Sequence, residues 1–494
     1  RGALAEAVEP DVLSMDRSPL PLEQLEAAFT ETYPRFTDNE AYVEASRCLF
    51  CFDAPCIKAC PTDIDVPTFI RKIATGNVLG AAKTILESNL LGHTCGRVCP
   101  VDELCVGACV LGAEERPIAI GRLQRYATDH LFEKGVMPFT PAPPTGKRVA
   151  VIGSGPAGLS CAGELAKLGV EAHVFEKEEL PGGLSTYGIV VMREPVAVSL
   201  EEVEFIERLG VQVHTGVEVG KDLEPQRLLA EYDAVVIAAG TGKVPKLGIP
   251  GEDLHGVTDA LEFIAATKMA EKDGLERLYE VPVGREVIVV GAGNTAVDAA
   301  TIAKRLGAER VTMVYRRGRE EMPAYDHEVA FVRNEGVDIR FHTQPVEVLG
   351  EGGRVVGVRC VRMALGAPDE SGRRRPEPVP GSEFVLPADQ VILAIGQEKH
   401  LALLAAFGVE VERGYAKTDA ERRTSNPKVF AAGDCARLTG HALTVTAAQD
   451  GKIAAQAIAR QLGIEVPAKP RGVPTGRPIL SQPPAREAVG GVSG

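Results

Sequence analysis

With 494 residues, 45% of them hydrophobic and 25% charged, the chain has ordinary globular composition, and its length calls for about three domains. A formal net charge of −14 argues against a nucleic-acid footprint, which needs a basic face. No apolar run approaches the roughly 18 to 20 residues of a bilayer span, and the first thirty residues are acidic, so we expect neither a membrane segment nor a signal peptide, and a cytoplasmic location.

Up to about residue 140 the chain alternates Cys-rich turns with short amphipathic patterns, as at Val66–Thr75 and Ala81–Glu87, and predicts a helical domain wrapped around a guest. Pro138–Gly146 sustains neither helix nor sheet ladder and reads as a linker. Lys147–Gly153 is a β-branched strand running into a glycine turn, followed by a helix from Pro156 to Leu168 and a strand at Glu171–Glu176. The same order returns at Val287–Val290, Gly291, a helix to Leu306 and the strand Arg310–Tyr315. The short apolar strands Asp233–Gly240 and Gln390–Gly396, then Val429–Asp434 and a helix from about Thr446, complete a domain interrupted by another. The fold class expected is multidomain: an N-terminal all-α domain (1–140), then two α/β Rossmann-like domains. The first would comprise 146–283 and 385–465, the second 284–384, with a Pro- and Gly-rich tail at 466–494.

Eight of the 11 cysteines fall between Cys48 and Cys109, as Cys48-x2-Cys51-x4-Cys56-x3-Cys60-Pro61 and Cys95-x3-Cys99-Pro100-x4-Cys105-x3-Cys109. Such clustering in a long chain favours metal binding over disulfides, and soft thiolates suit iron-sulfur clusters or zinc. In two-cluster ferredoxins the cysteine before proline ligates the other cluster. That logic gives one cluster Cys48, Cys51, Cys56 and Cys109 and the other Cys60, Cys99 and Cys105. Cys95 or a non-cysteine ligand such as Gln124 would complete the second, and spacing does not decide between them. Structural zinc sites are the competing reading, although zinc ribbons use paired C-x2-C elements and only one occurs here.

Gly153-Ser154-Gly155-Pro156-Ala157-Gly158 sits between strand and helix, where glycines let the backbone reach a pyrophosphate at the helix N-terminus. Glu176 ends the next strand, placed for a ribose of FAD. Gly433-Asp434 and the helix opening after Thr444 would face the flavin, or Asp434 would only cap a turn. The second fingerprint, Gly291-Ala292-Gly293-Asn294-Thr295-Ala296, is followed by a strand ending Tyr315-Arg316-Arg317, where an acidic residue would favour NAD. Guanidinium forks suit the 2′-phosphate of NADP, so NADP is favoured over NAD, unless Arg316, Arg317 and Arg319 form only a solvated turn.

The interleaved order resembles the small subunit of glutamate synthase and its relatives, to about residue 465. From Arg47 to Gln124 it is most similar to dihydropyrimidine dehydrogenase, through CLFCFDAPCIKACPT, LLGHTCGRVCPVDELCVGACVL and IGRLQRYAT. The resemblance implies two 4Fe-4S clusters with Gln124 as the eighth ligand. It places FAD on Gly153, Gly155, Gly158, Glu176, Gly183, Leu184, Gly433 and Asp434, with Pro156, Ala157, Gly240 and Thr444 close by. It assigns the nicotinamide cofactor to Gly291, Gly293, Asn294, Thr295, Arg316 and Arg317. Two departures stand out: Gly188-Ile189-Val190-Val191-Met192-Arg193-Glu194-Pro195 where many relatives carry Gly-Ile-Pro-x-Phe-Arg-Leu-Pro, and Tyr315–Ala324, which is closer to the glutamate synthase type.

A nicotinamide delivers a hydride and a cluster accepts single electrons, so the flavin is expected to split the pair, with no separate catalytic side chain. The expected partner is a separate FMN-containing subunit that reduces uracil or thymine. The alternatives are a glutamate synthase small subunit, a transhydrogenase subunit, or a zinc-stabilised scaffold.

Overall fold

A computed structural model describes residues 20–368, 374–440 and 442–467. It divides into two units: one of residues 1–32, 186–197 and 242–398, the other of 33–185, 198–241 and 399–494.

In the second of these, seven helices from Asp38–Ser46 to Ile120–Glu133, counting the 3-10 turn Val110–Ala113, and no strand precede the irregular stretch 135–146. Their starts are written locally. Thr37 and Glu40 exchange a capping box, Asp65 accepts from Thr68 N at 3.2 Å, and Asn77 accepts from Gly80 N at 3.0 Å. Val66, Phe69, Ile70 and Ile73 put one face of Val66–Ala74 into the core, as the 3.6-residue period requires. Gly96 lets Gly92–Val98 lie against Ile120–Glu133, since a Cβ there would stand 3.0 Å from Arg125 N.

The same unit holds a parallel sheet in the order Val429–Ala431, Ala234–Ile237, Arg148–Ile152, Glu171–Phe175, Gln212–His214. The central strand buries Val149, Ala150 and Val151 completely, the mark of a sheet covered on both faces. Helices and sheet share one apolar core, and Lys452 Nζ donates to Ser88 O at 2.7 Å across it.

The other unit contains a second parallel sheet, Val257–Asp259, Gln390–Leu393, Glu286–Val290, Arg310–Val314, Asp338–Arg340. It also carries an antiparallel ribbon of Thr343–Glu351, Arg354–Pro368, Arg374–Pro378 and Phe384–Pro387, which the sequence reading missed.

The α plus double α/β architecture is as expected. The expected edges 284 and 384 differ from the structure: Gln390–Leu393 pairs in register with Glu286–Val290, so it completes the second sheet and not the first. Likewise Leu25 and Phe29, expected within the helical domain, are buried with Phe263, Leu278 and Val297 of the second sheet's unit. The expected tail lies outside the described residues from 468 on. Among the described residues no helix is long and apolar enough to cross a membrane.

Candidate functional site

The first fingerprint is built by contacts too close for any side chain. A Cβ on Gly158 would lie 2.0 Å from Gly153 O, and one on Gly153, at φ 97°, would lie 2.5 Å from Ala238 O. Gly183, at φ 59°, brings its own loop against the first, where a Cβ would meet Gly155 Cα at 2.7 Å. Apart from its chain neighbours, nothing lies within 4 Å of a Cβ built on Gly155, so that side of the residue is open at the start of Pro156–Lys167.

Glu176 is buried and does more than was expected. Its Oε2 accepts from Ser154 N (2.9 Å) and Ser154 Oγ (2.6 Å), and its Oε1 from Glu178 N (2.9 Å). Ser154 Oγ in turn accepts from Gly182 N at 2.9 Å, joining the glycine loops. A carboxylate has about four acceptor sites, so one remains for a ribose hydroxyl. Ser154 was not singled out, because a serine between two glycines gives no signal beyond its size.

Thr444–Gln461 packs against Pro156–Lys167 so closely that a Cβ on Gly451 would lie 2.1 Å from Ala157 O, while Ser160 Oγ donates to Ala448 O at 2.7 Å. The two helix N-termini, at Pro156 and Thr444, therefore come to one end of the sheet, with Gly433 against Ala157. Asp434 is pushed up by burial, opposed by Arg437. Leu184 is partly exposed on Leu184–Tyr187, and Gly240, at φ 62°, lies three residues beyond the strand Ala234–Ile237.

The second fingerprint repeats the design. A Cβ on Gly291 would lie 2.3 Å from Ala394 O, and Gly293 caps Asn294–Arg305, on which Thr295 is partly buried. Asn294 Oδ1 accepts from Tyr325 N at 3.3 Å, which spends one of its groups on the protein. Arg316 is exposed, Arg317 Nε donates to Arg374 O at 3.3 Å, and Arg319 pairs with Asp326.

The thiols fall into two sets. Cys48 and Cys56 are raised by burial, Cys56 to about 12, and after burial by the nearby sulfurs: Cys51 and Cys109 for Cys48, Cys48 and Cys109 for Cys56. Burial also raises Cys60 and Cys105. Cys99 is raised first by the Cys95 thiol, then by burial, with Cys105 and Cys60 adding to it. Neighbouring sulfurs disfavour one another's ionisation, and the 11 cysteines are all free thiols. Among the described residues no three Cys, His, Asp or Glu are gathered as a single ion needs.

Cys95 therefore joins the second set in space. Gln124 is buried on Ile120–Glu133, with Nε2 donating to Gly92 O at 2.8 Å, which leaves Oε1 as the atom able to serve a metal. Cys95 and Cys99 pack with Leu443 and Val445, at the start of Thr444–Gln461.

Residues 147–451 match the pyridine nucleotide-disulphide oxidoreductase family, and residues 25–136 match dihydropyrimidine dehydrogenase domain II, 4Fe-4S cluster. The chain is 40% identical over 470 residues to the glutamate synthase (NADPH) small chain of Halomonas elongata, covering 92% of this chain and 98% of that one. It is 37% identical over 428 residues to the NAD-dependent dihydropyrimidine dehydrogenase subunit PreT of Escherichia coli (strain K12), covering 87% and 96%. FprA of Mycobacterium tuberculosis, solved in complex with NADPH, has a TM-score of 0.52 at 21% identity over 65% of this chain and 85% of that one, a likeness of fold. The cofactors are FAD, a pyridine nucleotide and 4Fe-4S clusters.

Proposed function

We propose that this chain, which belongs to the pyridine nucleotide-disulphide oxidoreductase family, is the electron-input subunit of a dihydropyrimidine dehydrogenase type of enzyme, working with a separate FMN subunit. It is an NAD(P)H-dependent flavin and iron-sulfur oxidoreductase. When bound, the flavin takes a hydride from the nicotinamide and the clusters carry its electrons onward one at a time.

The observation that carries the reading is the contact of Cys95 and Cys99 with Leu443 and Val445, which joins the second thiol set to the helix start on the flavin side. Gly153, Gly155, Ala157 and Gly158 offer backbone amides to the FAD pyrophosphate, Pro156 opens the helix without donating, and Glu176 holds both the loop and a ribose. Gly183, Leu184, Gly240, Gly433, Asp434 and Thr444 line the flavin end. Gly291, Gly293, Asn294 and Thr295 bind the nucleotide pyrophosphate, and Arg316 and Arg317 its 2′-phosphate, which makes NADPH the preferred donor. Cys48, Cys51, Cys56 and Cys109 hold one cluster; Cys60, Cys99, Cys105 and Gln124 hold the other.

PreT supports the pyrimidine reading, as does the match of residues 25–136. The glutamate synthase small chain, 40% identical, favours a second reading in which the partner is a glutamate-forming subunit. Mixing the purified chain with each candidate subunit and NADPH tests them: uracil-dependent NADPH oxidation is expected with the FMN subunit, and glutamine-dependent oxidation with the other subunit would overturn the first reading.

A further inference from the structure

The first thiol set is edged by apolar side chains that nothing in the described residues covers. Phe52 follows Cys51 in the chain and is fully exposed, Leu49 follows Cys48 and is 62% exposed, and Val110 follows Cys109 and is 50% exposed. Cys48 lies with Cys51 and Cys109, so the three apolar groups stand around one centre.

The loop is held in this arrangement at a cost. Phe50, the residue between the two exposed ones that turns inward, has φ 51°, a left-handed conformation unfavourable for a bulky residue. The Arg71 guanidinium lies 4.7 Å from its ring centroid.

Beside Val110 the unpaired charge is acidic, while Arg71 stands on the Phe50 side of the loop. Arg47 and Arg116 are tied back to buried Glu44, and Lys58 is paired with Asp53, while Glu114 and Glu115 are exposed and enter no ion pair among the described residues.

We propose that Leu49, Phe52 and Val110, flanked by Glu114 and Glu115, form the docking surface for a separate one-electron acceptor protein whose own redox centre lies at a basic-rimmed, apolar face. The inference rests on the electron-input reading and deepens it by naming the exit. Leu49, Phe52 and Val110 each follow a thiol of the first set in the chain, so an acceptor seated on them approaches that set. Aromatic side chains at the centre of a contact supply its affinity, and complementary rim charge supplies orientation and association rate.

Cytochrome c, a basic one-electron acceptor, serves as the probe for the full, cofactor-loaded chain, and ferricyanide as a small acceptor that needs no docking surface. Binding is measured by titration calorimetry at low and moderate salt, alongside both reduction rates, iron content and sedimentation. Leu49→Ser with Phe52→Ser is expected to weaken cytochrome c binding and its reduction about tenfold, leaving ferricyanide reduction and iron unchanged. Glu114→Gln with Glu115→Gln, outside the thiol loop, is expected to weaken binding and flatten its salt dependence. This pair decides the matter if the first loses iron.

Wild-type chain that does not bind cytochrome c at low salt, or an iron-replete variant that binds as wild type does, overturns the proposal. So does a wild-type dimer that Phe52→Ser converts to monomer, since the occupant is then a second copy. A wild-type chain without iron, or one that fails to reduce ferricyanide with NADPH, sinks the electron-input reading itself and is told apart by that control.

Discussion

Gly158 shows how much one residue decides. A methyl group there would stand 2.0 Å from Gly153 O, so Gly158→Ala must shift the turn on which the pyrophosphate amides are displayed. The expected result is protein with FAD occupancy reduced about tenfold, a loss of roughly 1.4 kcal/mol of binding, read from the absorption of the purified variant. Full occupancy would mean that the loop yields elsewhere. On the proposed reading Arg316 and Arg317 set the cofactor preference, so changing both to Ala should raise KM for NADPH about tenfold and leave KM for NADH within about twofold. Equal changes in both constants would show that the pair is only a solvated turn. The glycines were legible in the sequence because their spacing encodes a steric demand. The second set's fourth ligand was not legible, because Cys95 and Gln124 are both buried and spacing does not choose between them.

Buried carboxylates fix whole elements here. Glu44 accepts from Arg47 Nη1 (2.9 Å), Arg116 Nη2 (2.7 Å) and Ala119 N (2.8 Å), tying the helix Asp38–Ser46 to the segment that follows Cys109. Glu44→Ala should cost about 3 kcal/mol and reduce iron content, measured by denaturation and iron assay; unchanged iron would separate the tie from the cluster. In the other unit, Asp298 on Asn294–Arg305 lies 3.5 Å from Arg193 and is raised to about 6 by burial, against an ordinary 3.8. Between those values the folded state keeps a proton that the unfolded state has lost, so this group's contribution to stability falls as pH rises through the window. The melting temperature of wild type relative to Asp298→Asn should therefore decline from about pH 4 to about pH 6. A difference that stays flat would contradict the assignment. Neither network was foreseen, since neither Glu44 nor Asp298 belongs to a motif. The strand Gln390–Leu393 was seen and misplaced for a related reason: a short apolar run ending near a glycine looks alike whichever sheet it joins.

At the scale of the molecule, the repeat of strand, glycine turn and helix made both parallel sheets readable, because each nucleotide fold writes its own fingerprint. The exchange of segments did not show. Residues 186–197 and 20–32 belong with the second sheet through Val190, Val191, Leu25 and Phe29, apolar residues with no mark of the core they enter. The central claim is that nucleotide, flavin and two clusters serve one electron path in this chain. The measurement that tests it most directly is an anaerobic absorption spectrum of the purified chain, with iron and flavin quantified, before and after stoichiometric NADPH. The account predicts one flavin and about eight irons per chain, with both flavin bands and the iron-sulfur shoulder bleached by the nucleotide. Flavin bleaching with no change in the shoulder, or zinc in place of iron, would contradict it.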